Sequence, residues 1–139
     1  EVEAAVFNVL GADLVDLFQS STYFGPQIDA FMTEHELEDG SWEQERLLNI
    51  AKWLVDSVDP HGVSHTYVDD PRPLLIQIDR INGETGDLII PNFTTESFQA
   101  RTRIEMVAYP SVLHADLIVP GVGDPMLEDA ADFLDENTP

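Results

Sequence analysis

Cysteine is absent, and Lys52 is the single lysine; Arg46, Arg72, Arg80, Arg101 and Arg103 complete the basic residues. Without cysteine there is no disulfide framework, no zinc–thiolate site and no thiol nucleophile. With so few bases there is no groove for a phosphate backbone, so nucleic acid is not an expected partner. The same surface is repelled by anionic membranes. No apolar run approaches the roughly 18–20 residues of a membrane span, and no basic-then-apolar leader is present. Gly-x-Ser-x-Gly, a phosphate loop and a kinase-like set are all missing. Gly121-Val122-Gly123 falls short of a dinucleotide fingerprint, because Met126 stands where the third glycine belongs. No cofactor is expected.

What the chain has in abundance is acid. Fifteen Asp and twelve Glu give a formal charge of −21 on 139 residues. Thirteen acids lie in residues 1–60 against Arg46 and Lys52, and six in residues 120–139 against no base, so both ends are more acidic than the middle. An apolar share of 43% is ample for a core, which argues for one folded domain over 1–139 rather than disorder. Two explanations fit the charge. One is adaptation to molar salt, where screening removes the mutual repulsion of carboxylates. The other is an acidic face for a basic partner, as in an inhibitor that mimics DNA. Scarce lysine favours the first, since a DNA mimic has no reason to avoid it. In composition the chain resembles proteins of salt-loving archaea, which implies a high-salt cytoplasm or a virion as its location.

Residues 1–58 pattern mainly as helix. Val6, Val9, Leu10, Leu14, Leu17 and Phe18 recur at threes and fours, and Ile28, Phe31, Met32 and His35 make a second stripe. Ser41 with Gln44 three residues on is a capping-box pattern for a third helix, with Leu47, Ala51, Leu54 and Val58 on its main face. Trp53 falls off that face, and either widens the core or packs on a partner. The 59–73 stretch, rich in Pro and Asp, patterns as irregular.

Residues 62–119 pattern mainly as β. Leu74–Ile81 and Asp87–Ile90 flank Asn82-Gly83, a hairpin signal. Ser97–Tyr109 alternates as one long strand, and Val112–Val119 suggests a fourth. Asp124-Pro125 opens a short terminal helix over 124–136. The predicted class is α+β, with about three N-terminal helices packed on a small antiparallel sheet of about four strands.

Few residues suggest chemistry. His61 and His65 stand four apart, which on a helix would put both imidazoles on one face as metal ligands. Pro60 and Gly62 weigh against a helix there, and solvated loop histidines are the plainer reading. His114 and Asp116 share one face of a predicted strand. Asp69-Asp70 lacks the spacing of a calcium loop. Arg101 and Arg103 share the polar face of the predicted long strand, where they would pair internally, hold a phosphate, or meet acids of a neighbouring subunit. Trp42, Trp53, Tyr67 and Tyr109 are candidates for contact surface.

Leu47–Val58, Pro73–Ile90, Ser97–Tyr109 and Pro125–Leu134, in the order helix, hairpin, long strand and terminal helix, resemble in pattern the neck and tail-completion proteins of tailed viruses. That resemblance implies rings of subunits joined sheet edge to sheet edge, with Arg101 and Arg103 at the joint. The expected function is a non-enzymatic assembly subunit of a halophilic system, with other protein subunits as partners in a homo-oligomer. An acidic inhibitor is the alternative, and a small metal-dependent enzyme using His61 and His65 the third.

Overall fold

The structure, a computed structural model, describes residues 2–81, 84, 85, 87–110, 121 and 123–139. Its elements in chain order are β1 (Ala5–Asn8), α1 (Leu14–Ser20), α2 (Gly25–Glu34), α3 (Trp42–Val55), α4 (Pro60–Asp69), β2 (Leu74–Ile81), β3 (Glu84–Thr85), α5 (Asn92–Thr102), β4 (Glu105–Tyr109) and α6 (Asp124–Asn137). The predicted strand Val112–Val119, with His114 and Asp116, lies outside the described residues.

Strand β2 is central, and β1 and β4 pair with it on either side, both parallel. Ala5 stands opposite Leu74, and Leu75 opposite Glu105. The two-residue β3 is antiparallel to the end of β2, with Arg80 opposite Thr85. The predicted antiparallel four-stranded sheet is therefore wrong in direction, although helices and strands are mixed as an α+β chain requires. Burial of β2 explains the difference. Leu75, Ile76, Gln77, Ile78 and Asp79 are buried in succession, so both faces of this strand are covered. Parallel strands are covered this way by their crossover helices and show continuous apolar runs rather than clean alternation. On one face Ile76 and Ile78 pack with Ala12, Phe98 and Ile104, backed by Tyr67 and Met106. On the other face Gln77 meets the start of α6.

The N-terminal stripe does not form one helix. Ala5–Asn8 instead pairs with β2, and Val9 and Asp13 take left-handed φ of 50° and 51° before α1 begins. Apolar residues at 6, 9 and 10 suit a strand and turn as well as a helix, and the edge of β2 decides between them.

Ser97–Tyr109 is not one strand either. Asn92–Thr102 is helix, because Thr94, Thr95 and Phe98 form a buried face at helical spacing behind Pro91. Arg103, at φ 59°, ends it and lets the chain re-enter the sheet as β4. The predicted shared face of Arg101 and Arg103 thus does not exist. Arg101 sits in the last turn of α5 and Arg103 is its left-handed cap.

The 59–73 stretch contains α4. Its start carries the same Asp-Pro signal as the terminal helix, and Gly62 is a requirement rather than an obstacle. A Cβ on Gly62 would press on the Asp56 carbonyl oxygen. Asp59 does more than cap α4. Its Oδ1 accepts from the His61 amide at 2.8 Å and the Asp13 amide at 2.9 Å, and its Oδ2 from the Leu14 amide at 2.6 Å. One buried carboxylate therefore joins the starts of α1 and α4.

Helix α3 begins where its capping pattern places it. Ser41 Oγ accepts from the Gln44 amide at 3.2 Å, while Gln44 Oε1 reaches back to the Gly40 amide at 2.7 Å. The predicted main face is only half right. Leu47, Leu48, Ala51 and Val55 are partly covered, but Leu54 and Val58 are exposed.

Candidate functional site

Helix α3 has two apolar faces, and only one is used inside the chain. Gln44, Leu47, Leu48, Ala51 and Val55 point inward, toward α1. Trp42, Arg46, Asn49 and Trp53 are centred roughly 180° around the helix at 3.6 residues per turn. Trp42 is 63% exposed and Trp53 76%. With Glu45 and Ile50 they line an open groove of about 500 Å³. A surface helix normally carries polar residues on its outer face. Two tryptophans on that face depart from the rule and leave an exposed aromatic stripe. Trp53 therefore does not widen the core. Its exposure removes the core-widening reading that it had from sequence.

The bases lie apart from one another. Arg46 stands over the ring of its own Trp42, 5.8 Å from the centroid. Lys52 pairs with Asp16 at 2.7 Å, Arg72 with Asp70 at 3.0 Å, and Arg80 with Glu96. Arg101 and Arg103 are exposed, and Arg101 Nη1 lies 3.4 Å from His61 Nε2.

His61 and His65 do share helix α4, contrary to the predicted loop, yet their surroundings differ. His61 Nδ1 lies 3.4 Å from Asp13 Oδ2 and 3.3 Å from Ser97 Oγ. His65 Nδ1 faces the Gly62 carbonyl oxygen at 3.1 Å in solvent. Serine, histidine and aspartate thus meet, but not as a catalytic relay. A relay needs hydroxyl and carboxylate on opposite ring nitrogens. Here both crowd Nδ1, and Arg101, a donor only, turns to Nε2. The pocket beside them holds about 140 Å³ and is lined by Asp13, Asp56, Asp59 and Lys52. Among the described residues no three His, Asp or Glu groups are arranged to hold a metal ion.

Tyr109, a predicted contact residue, is buried instead. Its hydroxyl donates to Asp129 Oδ2 at 2.5 Å and accepts from Gln77 Nε2 at 3.3 Å. Burial first, then the Asp129 carboxylate, pushes the phenol well above its usual 10.0. Its protonated form is thus favoured by folding, and that stability is complete below about pH 10. As pH rises further the unfolded chain releases the proton and the folded chain does not. The wild type should then lose up to about 1.4 kcal/mol per pH unit relative to Tyr109→Phe. Urea titrations of both proteins between pH 8 and 11 check this, and parallel curves would contradict it.

Sequence reasoning singled out Trp53 and Trp42 but missed the stripe that joins them. The signal was present as a second helical period, Trp42, Arg46, Asn49 and Trp53, spaced four, three and four. No family model, curated protein or solved structure matches this chain.

Proposed function

We propose that this chain is a non-enzymatic assembly subunit of a high-salt system, working through contacts between protein subunits. The solvent-facing tryptophan stripe of α3 is the observation that carries the reading. It places two large aromatic side chains in solvent on a chain of net charge −21, where Tyr23, Leu54, Val58 and Leu88 are exposed as well. Among the described side chains only three acids, Asp59, Asp79 and Asp87, are buried. The remainder hold water at the surface, where dense salt screens them.

A virion role is not retained in this proposal. The resemblance to neck and tail-completion proteins leaned on a long strand over Ser97–Tyr109, and that segment is α5 followed by β4. Its edge-to-edge joint through Arg101 and Arg103 loses its footing with the strand. An acidic-inhibitor reading gains no support from α1 and α3, where Asp16 is paired with Lys52 and the outer face is aromatic.

Molar mass by light scattering, with circular dichroism alongside, tests the proposal at about 0.1 M and about 3 M KCl, screening lengths of roughly 10 Å and below 3 Å. A folded multimer of the 15.5 kDa chain is expected at high salt, with mass falling as salt is removed. A folded monomer at both concentrations would count against assembly.

A further inference from the structure

We infer that the outer edge of β1 is a docking site for an extended, uncharged peptide segment of another polypeptide, which joins the sheet as an added strand. This contact is separate from the α3 stripe. It goes beyond the assembly reading and does not depend on it.

Hydrogen bonding selects the kind of occupant. Ala5 donates its amide to the Pro73 carbonyl oxygen at 3.0 Å, and Val9 donates to that of Gln77 at 2.8 Å. Along a strand, successive residues turn their backbone groups alternately to one side and the other. Ala5, Phe7 and Val9 therefore face β2, while Val6 and Asn8 turn their N–H and C=O groups outward. Among the described residues no strand lies on that side of β1. A row of backbone donors and acceptors is matched by another extended backbone, as in strand addition. A helix has already paired its own backbone groups and cannot supply them.

Charge narrows the choice. Sheet edges are normally guarded by charge, by proline or by a covering element. Strand β4, on the far side of β2, begins with Glu105 and shares a groove with Asp129, Asp132 and Glu136 of α6. No such guard stands in the β1 segment. Residues 4–12 contain no charged residue and no proline, on a chain that carries −21. A basic peptide would find no carboxylate along this strand to pair with. An acidic one would be repelled by the chain as a whole. An uncharged segment is what the edge fits.

Side chains add a preference. Phe7 is partly exposed and lines, with Leu10, Val58, Val63 and Leu74, an open apolar pocket of about 290 Å³ between β1 and α4. A strand laid beside β1 would project every second side chain toward this face. Apolar residues at those positions would cover the pocket, the usual source of specificity in strand addition.

The probe is a short capped peptide of alternating valine and threonine, N-methylated at every second residue. It then has a single hydrogen-bonding edge and cannot build fibrils. Hydrogen exchange at about 3 M KCl, a screening length below 3 Å, reads the amides one by one. With the probe in millimolar excess, the Val6 and Asn8 amides should slow about tenfold or more, and the Val9 amide, already bonded to Gln77, should respond less. The same peptide N-methylated throughout should have no effect. Val6→Pro removes an outward amide and no bond to β2, so it should abolish the protection of Asn8 while circular dichroism stays unchanged. The two peptides decide the matter even if that variant fails to fold. No slowing with the single-edged peptide, or equal slowing with both, would overturn the inference. So would Val6 and Asn8 amides already as slow as that of Val9 in the dilute chain without peptide, because the edge would then be covered. Slowing that grows with protein concentration alone would assign the edge to a second copy and overturn the choice of occupant.

Discussion

Gln77→Ala is expected to lower stability by about 4 kcal/mol, a loss large enough to cost roughly 10 °C or more in Tm for a chain of this size. Gln77 is fully buried on the central strand, where an amide is tolerated only if its polar atoms are matched. They are matched by three elements. Its Nε2 donates to the Met126 carbonyl oxygen at 2.7 Å and to the Tyr109 hydroxyl at 3.3 Å, and its Oε1 accepts from Asn8 Nδ2 at 3.3 Å. Alanine leaves a void and strands those groups together, so two penalties add. Gln77→Met separates them. It keeps the volume and removes the bonds, and about 2 kcal/mol should be lost, the usual cost of an unmatched buried polar group. Urea denaturation at high salt measures both. A methionine variant as stable as wild type would show that the amide serves only as bulk.

Asp59→Ala should cost about 3 kcal/mol. A simple N-cap replacement costs roughly 1 kcal/mol. Asp59 exceeds this because its buried carboxylate takes three amide protons, and bonds to a charged acceptor are stronger than neutral ones. Two of the three belong to α1, which is 45 positions away at Leu14. The loss should therefore appear as global destabilisation and not as fraying of α4 alone. Asp59→Asn should recover less than half. Its one carbonyl oxygen can keep the pair from Asp13 and His61, but its NH₂ then faces the Leu14 amide, donor against donor. Thermal unfolding followed by circular dichroism gives the size of the effect, and hydrogen exchange gives its extent. A loss of 1 kcal/mol or less, confined to the first turn of α4, would reduce Asp59 to an ordinary cap.

Much of the helical architecture was legible because its signals are local. Helix α2 opens on Gly25-Pro26, α3 follows the Ser41 cap with Gln44, and α6 opens on Asp124-Pro125. Caps and prolines act through the backbone of the same turn and need no distant partner. Helix α4 had the same signal at Asp59-Pro60, and Gly62 masked it. The glycine reflects close approach to the Asp56 carbonyl, a contact no propensity scale contains. Segments 5–18 and 97–109 were illegible for another reason. Their apolar residues fit two periods at once, and the edges of β2 selected which residues became strand.

Of the candidate site, the tryptophans were visible and their direction was not. A helix with apolar residues at both Leu48 and Trp53 has two faces that could be buried. Packing against α1 takes up the first, and this alone leaves the second in solvent. The Arg101 and Arg103 pair went the opposite way, since a shared strand face dissolved once α5 formed.

Composition by itself determined the absence of thiol chemistry, the scarcity of bases and the net charge of −21. These follow from counting groups whose charge and reactivity hardly depend on where they sit. Strand direction, the burial of Gln77 and Tyr109, and the exposure of Trp42 and Trp53 were decided only by tertiary structure. Each depends on which surface covers which, and that is set by contacts between residues far apart in the chain.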